Sequence, residues 1–499
     1  MRRSLMPAAV LLLAAVSARA QNPGPGAIDS LALRAHTYFL SSDLLEGRGT
    51  GARGSDVAAA YLASAAEQFG LVGLGENGSF FQAVPIVEAE IDTAATTLTL
   101  TDSAGSATFR SPAYFIPNAG SLRTLVGFEG EVVWVGTAAD IRAHPDKLPP
   151  LQGRVAIMAG VFGADGRAAD TLRARGATGV IQFVGDNDVY RLYARSRGDS
   201  RMSVDDSTTR SSFFPDIPSV IARADLVRRL LPANVREEQL DTPFSIPGRR
   251  VQVRVRVRPR QVSARNVVAL LPGTDHSKRD EYVIYSAHYD HLGIGEPDAH
   301  GDSIYNGFSD NAAGCAMLLA LAEYFEAHRP ARSMLFLWFT GEERGLLGSD
   351  YFAAHPLIAP ERIAGVINLD AGAPPAPSVQ WRVSGGDRSE LGRMAIDVAR
   401  DAGWDATAAP ASPNTDYFPF LRLGVPAVFL VPGPGAYEGL TTDSSQALRR
   451  RWDHYHQADD EWHADFPFAG VVRYADYALR LGLRLLSAPL LPRAVALTN

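Results

Sequence analysis

Apolar residues recur along this chain in two periods, and their alternation predicts an α/β protein. Short uninterrupted apolar runs at residues 282–287, 334–340, 364–369 and 425–431 have the make-up of strands buried on both faces, which belong in parallel sheets covered by helices. Between and around them, residues 311–328 and 468–486 carry apolar positions three and four apart, the spacing of helices that press one face on a sheet. Upstream, residues 28–40 and 55–69 also have helical spacing, whereas 80–91 and 96–101 alternate as strands do. A stretch from 111 to 254 has a pattern of its own: strands at 130–135, 153–159 and 179–184, helices at 164–175 and 223–231, and a polar, aperiodic run at 186–212 read as an exposed loop. Residues 251–260, VQVRVRVRPR, alternate as one strand with a basic, solvated face. The expected fold is a mixed, mostly parallel β-sheet flanked by helices, with a β-rich accessory unit inserted at 111–254.

Composition narrows the function classes. A chain of 499 residues, 46% hydrophobic and 21% charged, is globular and too long for one core. The net charge of -7 is diffuse and no basic tract stands out, which argues against nucleic acid as a partner. Arg2 and Arg3, an apolar stretch at 8–16 and the small-x-small triplet Ala18-Arg19-Ala20 read as a cleaved signal peptide over residues 1–20, with a mature start at Gln21. The apolar stretch is too short to span a bilayer, so the chain is expected to be exported, periplasmic or secreted, without a stable membrane span. Cys315 is the only cysteine, which excludes disulfides and thiolate clusters and leaves His, Asp and Glu for any metal. Cys315 itself reads as a small buried hydrophobe.

Candidate chemistry sits at the ends of the buried runs. His288 and Asp290 follow the first of them, in the arrangement by which a carboxylate orients a zinc-binding imidazole. Alone, such a pair is more often a surface histidine beside a turn aspartate. Asp310 opens the helix at 311–328 and can cap it or project toward the strand ends. Gly341-Glu342-Glu343 ends the second run, and two adjacent carboxylates there are costly unless one meets a cation or both reach water. Asp370 ends the third run, and His456 follows the fourth after a Pro- and Gly-rich loop. His288, Asp310, Glu343, Asp370 and His456 together form the inventory of a two-metal site. Asp310 is assigned as the bridge, with His288 and Asp370 on one ion and Glu343 and His456 on the other.

Five motifs in order carry a family resemblance: SAHYDHLG (286–293), SDNAAG (309–314), FTGEERGLLGS (339–349), NLD (368–370) and YHQADDE (455–461). Together they resemble the M28 family of co-catalytic zinc aminopeptidases. SSDLLEGRGTGARG (41–54) is similar to the amino-terminal part of the same catalytic domain, and 111–254 resembles an inserted protease-associated (PA) domain. The resemblance implies a zinc exopeptidase fold divided into a signal peptide (1–20), an amino-terminal part (21–110), the PA-like insertion (111–254) and the main peptidase part (255–499). It implies two Zn2+ per chain on the five ligands, Glu342 as general base and acid, Asp290 orienting His288, and peptide or protein amino termini as substrate. Where relatives often have Ser-Asp-His-Tyr this chain has Asn414-Thr415-Asp416-Tyr417, so no substrate contact is assigned there. The carbonyl-polarising group stays open among Tyr417, Tyr437 and Tyr455. His291 and His300 read as solvated turn histidines. An M20-type carboxypeptidase or dipeptidase, a one-zinc glutaminyl cyclase and a non-catalytic binding ectodomain are the alternatives.

Overall fold

The computed structural model describes residues 27–118, 121–162, 167–197 and 200–492, so the signal peptide expected at 1–20 lies outside the described residues. Two large sheets organise the chain. The ten-stranded sheet has four parallel strands at its centre, in the spatial order Ala427–Pro432, Ile363–Asn368, Tyr282–His288, Ser333–Phe339. Their carboxyl ends therefore share one edge, where open α/β sheets place their ligands. Val257–Leu271 and Phe81–Ile91 continue the sheet in antiparallel sense beyond Ser333–Phe339. All seven residues of Ser333–Phe339 are buried, as a strand covered on both faces requires.

The period-two alternation of these strands sorts side chains to two cores. Val283, Tyr285 and Ala287 face the helices Ser30–Leu40, Arg53–Gln68, Ala313–Ala327 and Ala469–Leu486, while Ile284, Leu335 and Leu337 face Phe352, Tyr417 and Phe420 on the other side. Asp29 caps Ser30–Leu40 by accepting from the Leu31 amide at 2.8 Å. The segment between Glu343 and His456 contributes Ile363–Asn368, Gln380–Ser384, Asp405–Ala409 and Ala427–Pro432 to the same sheet. Among the described residues no helix is long and apolar enough to cross a membrane.

The second sheet has eight strands, ordered Gly105–Arg110, Thr97–Asp102, Phe244–Arg254, Phe128–Thr137, Val155–Ala159, Gly179–Val184, Ser219–Arg223, Phe115–Pro117. It takes in Thr97–Asp102 and Gly105–Arg110, upstream of the boundary expected at residue 111, because both complete its antiparallel edge beside Phe244–Arg254. Two other expectations need correcting. Residues 186–212 are not an irregular loop: Asn187–Arg197 is a helix and Ser200–Val204 a strand that leaves the second sheet and pairs with Phe81–Ile91 at the edge of the first. Their polar make-up hid them, since one lies at the surface of its unit and the other on a sheet edge. Nor are residues 251–260 one strand. The chain breaks at Val255 and Arg256, so Phe244–Arg254 belongs to the second sheet and Val257–Leu271 to the first.

The inserted unit is clamped onto the helix that follows the Glu342-Glu343 turn. Ser212 donates its amide (2.7 Å) and hydroxyl (2.5 Å) to the Asp350 carboxylate on Leu347–Ala354, and Asp206 meets His355 at 3.0 Å. Burial pushes the Asp350 carboxyl up to about 7, although the Ser212 donors and Arg422 favour its charged form. A carboxyl raised above its unfolded value of 3.8 contributes stability at low pH that is lost as pH rises through about 7. Asp350→Asn is thus expected to gain on the native protein in melting temperature between pH 5 and pH 8. Paired thermal melts check this, and a difference that stays constant with pH contradicts it.

Candidate metal centre

Each acid or imidazole at the shared strand edge is put there by a local break in regular structure. Tyr282–His288 ends on His288, and Ser333–Phe339 ends two residues before Gly341, whose φ of 70° turns the chain so that Glu342 and Glu343 enter the edge. Asp310 lies in an irregular turn, φ -121° and ψ 92°, ahead of Ala313–Ala327. Its side chain makes no cap and is free to face the strands. That turn is held from behind by Asp460, 2% exposed, whose carboxylate accepts the Ser309 amide at 3.0 Å and the Asp310 amide at 3.3 Å. Asn311 Nδ2 donates to the Leu369 carbonyl at 3.0 Å, fixing the turn against the strand end that carries Asp370.

The five residues singled out in the sequence converge, and the Asp310 carboxylate stands between two groups of them. Its Oδ1 lies 3.1 Å from His288 Nε2, which is 2.9 Å from Asp370 Oδ1. Its Oδ2 lies 3.0 Å from His456 Nε2, which is 3.2 Å from Glu343 Oε2. Glu342 joins the first group, with donor atoms of His288, Glu342 and Asp370 all within 4.8 Å of one another. Thr415 donates its hydroxyl to the far oxygen of Asp370.

His291 is not the solvated turn residue expected. It is fully buried, its Nδ1 lies 2.7 Å from Glu343 Oε1 and 3.8 Å from Asp310 Oδ2, and it completes a group with Asp310, Glu343 and His456. The turn folds inward because Gly307 packs against the imidazole ring, where a Cβ would sit 2.6 Å from ring carbons, and because the His291 amide donates to the Arg48 carbonyl at 3.2 Å. A second imidazole three residues after His288 was the available signal. His300 stays in an exposed turn.

Asp290 also departs from expectation. His288 Nδ1 is 3.1 Å from the Asp290 backbone carbonyl but 3.8 Å from its carboxylate, so the main chain makes the bond that was expected of the side chain. The Asp290 carboxylate accepts instead from the Glu342 amide at 3.1 Å and from the Thr50 hydroxyl at 2.7 Å.

Electrostatics show how much negative charge is packed here. Burial, reinforced by Asp370, Glu343 and Asp416, raises the Glu342 carboxyl well above the ordinary range against the pull of His288. Burial works against charge on His288 and His456, yet the surrounding carboxylates win and raise both, His456 to about 10. Asp416, fully buried and taking the Ser349 hydroxyl at 2.5 Å, is pushed up to about 8 chiefly by desolvation.

The tyrosines now separate. Tyr417 is fully buried with its oxygen accepting from the Ser412 amide at 2.8 Å, and Tyr437 is buried beneath Arg449. Tyr455 is 62% exposed and stacks on His456, ring centroids 3.8 Å apart and 16° from parallel.

The residues fit a divalent metal. His456 Nε2 is buried and makes no hydrogen bond although two carboxylate oxygens stand within 3.2 Å, as donors aimed at a common point do. The donors are imidazole nitrogen and carboxylate oxygen, a set suited to zinc.

Residues 266–480 match peptidase family M28. Over 190 residues the chain is 30% identical to a "Probable zinc metalloprotease" of Pyrenophora teres f. teres, a match covering 31% of this chain and 40% of that protein. Over 182 residues it is 25% identical to "Aminopeptidase Y" of Saccharomyces cerevisiae, covering 34% of this chain and 33% of that one. The chain thus spans well under half the length of these curated relatives. In structure it resembles the aminopeptidase from Aneurinibacillus sp. strain AM-1, with a TM-score of 0.53 at 17% identity over 94% of this chain and 96% of that one, a likeness of fold.

Proposed function

Because residues 266–480 carry a peptidase family M28 domain, we propose that the protein is an exported two-zinc aminopeptidase that releases residues from the amino termini of peptides. The observation that carries this reading is the division of the Asp310 carboxylate, one oxygen beside His288 and Asp370 and the other beside His456 and Glu343. His288 and Asp370 would hold one zinc and Glu343 and His456 the other, with one oxygen of Asp310 available to each. His291 supports the second site through Glu343.

Bound zinc supplies polarisation of the scissile carbonyl and a water acidified toward a pKa of about 7. Glu342 takes the proton of the attacking water and returns it to the leaving amine. The Tyr455 hydroxyl, on a ring held flat against His456, donates to the carbonyl oxygen as charge develops there. The inserted unit is a PA-like domain, and the signal sequence at 1–20 directs export to the periplasm or beyond.

A panel of amino-acid amides and their N-acetylated forms tests the reaction. Release from substrates with a free α-amine and refusal of the acetylated ones is expected. Equal hydrolysis of blocked substrates, or removal of carboxyl-terminal residues, overturns it. His291→Ala is expected to weaken the affinity for one of the two ions by about 10- to 100-fold, read by chelator competition. Unchanged affinity for both ions contradicts the role given to His291.

A further inference from the structure

We propose that Thr50 is a positioning residue for Glu342, acting through the Asp290 carboxylate. The inference rests on Glu342 being the base. It also places part of the active site in a segment, 41–54, that lies outside the matched residues 266–480.

A fully buried carboxylate must find donors for its oxygens, and the two oxygens of Asp290 find different ones. Oδ2 accepts from Thr50 Oγ1 at 2.7 Å and Oδ1 from the Glu342 amide at 3.1 Å. His288 uses the Asp290 backbone carbonyl at 3.1 Å, which leaves the side chain for this second task. On its other side, the Glu342 carbonyl accepts the Gly345 amide at 2.8 Å and the Leu346 amide at 3.0 Å. The peptide units on either side of the Glu342 Cα are thus held, one by Asp290 and one by the turn.

The hydroxyl of Thr50, 5% exposed, is itself fixed in place. Arg48, 1% exposed, donates Nε to the Tyr289 carbonyl at 2.8 Å, Nη1 to the Asn306 carbonyl at 2.6 Å and to the Leu40 carbonyl, and Nη2 to the Gly307 carbonyl at 2.9 Å. Gly47, at φ 64°, packs so closely that a Cβ would lie 2.4 Å from the Tyr305 carbonyl oxygen and 2.6 Å from that of Gly293. The segment is therefore locked onto the loops that carry His288, His291 and Asp310. Removing the Thr50 hydroxyl strips a buried carboxylate of one of the two donors described above, and Asp290 re-aims. The Glu342 amide then loses its anchor. A displacement of about 1 Å at a reacting group is enough to cost about 100-fold in rate.

The test compares Thr50→Val, which keeps shape and removes the hydroxyl, with Thr50→Ser, which keeps the hydroxyl, in the full chain. Thr50→Val is expected to lower kcat about 10- to 100-fold with KM and zinc per chain unchanged, and Thr50→Ser to restore most of kcat. Should Val disturb folding, Thr50→Ala removes the same hydroxyl without a buried γ-methyl pair. Native turnover in the Val or Ala variant, a Ser variant as slow as Val, or loss of zinc in step with loss of rate each overturns the proposal. Failure of the underlying reading looks different: there Glu342→Gln keeps full activity whatever Thr50 does.

Discussion

Glu342→Gln is expected to lower kcat by about 10²- to 10⁴-fold, the range lost with a general base, while two zinc ions per chain remain bound. The substitution keeps size and shape and removes only the ability to take a proton. The retained zinc follows because His288 and Asp370 meet each other and Asp310 without Glu342. Steady-state rates and metal analysis on one sample check both halves. A variant with native turnover removes Glu342 from the reaction, and one that has lost an ion makes it a ligand.

Asp310→Ala is expected to remove activity by a different route, through the ions. Its carboxylate stands within 3.1 Å of both His288 and His456, so its loss weakens both ion sites at once. Losing the metal contribution, several kcal/mol of transition-state stabilisation, corresponds to more than about 10³-fold in kcat/KM. Both ions are expected to leave on dialysis at zinc concentrations that saturate the native protein. Retention of both would show that Asp310 bridges nothing.

Much of this centre is legible in the sequence because four buried parallel strands deliver their next residues to one edge. A run such as residues 334–340 announces its own burial, and the acids that follow it inherit a position. His288, Glu343 and Asp370 were readable in this way, Asp310 from its place at the start of a helix, and His456 as the ligand-type residue after the loop that follows the fourth run. Packing between distant loops was not. His291 looks like a turn histidine until Gly307 and the Arg48 carbonyl fold the turn inward. Asp290 two residues after His288 suggests an imidazole partner, yet the backbone carbonyl takes that bond and sends the carboxylate to Glu342 and Thr50, 240 residues away from Asp290 along the chain. The helix Asn187–Arg197 and the edge strand Ser200–Val204 were hidden by polar composition. The alternation of VQVRVRVRPR, which runs through a change of sheet at residues 255–256, gave no sign that the two halves serve different sheets.

In the proposed reaction, paired ions held around Asp310 drive hydrolysis at a free amino terminus. Chelated, metal-free protein titrated with zinc while release from an amino-acid amide is followed tests it most directly. Negligible turnover without zinc, and full activity once two equivalents have bound, is the predicted result. Undiminished turnover in the metal-free protein, or saturation without any zinc bound, contradicts it.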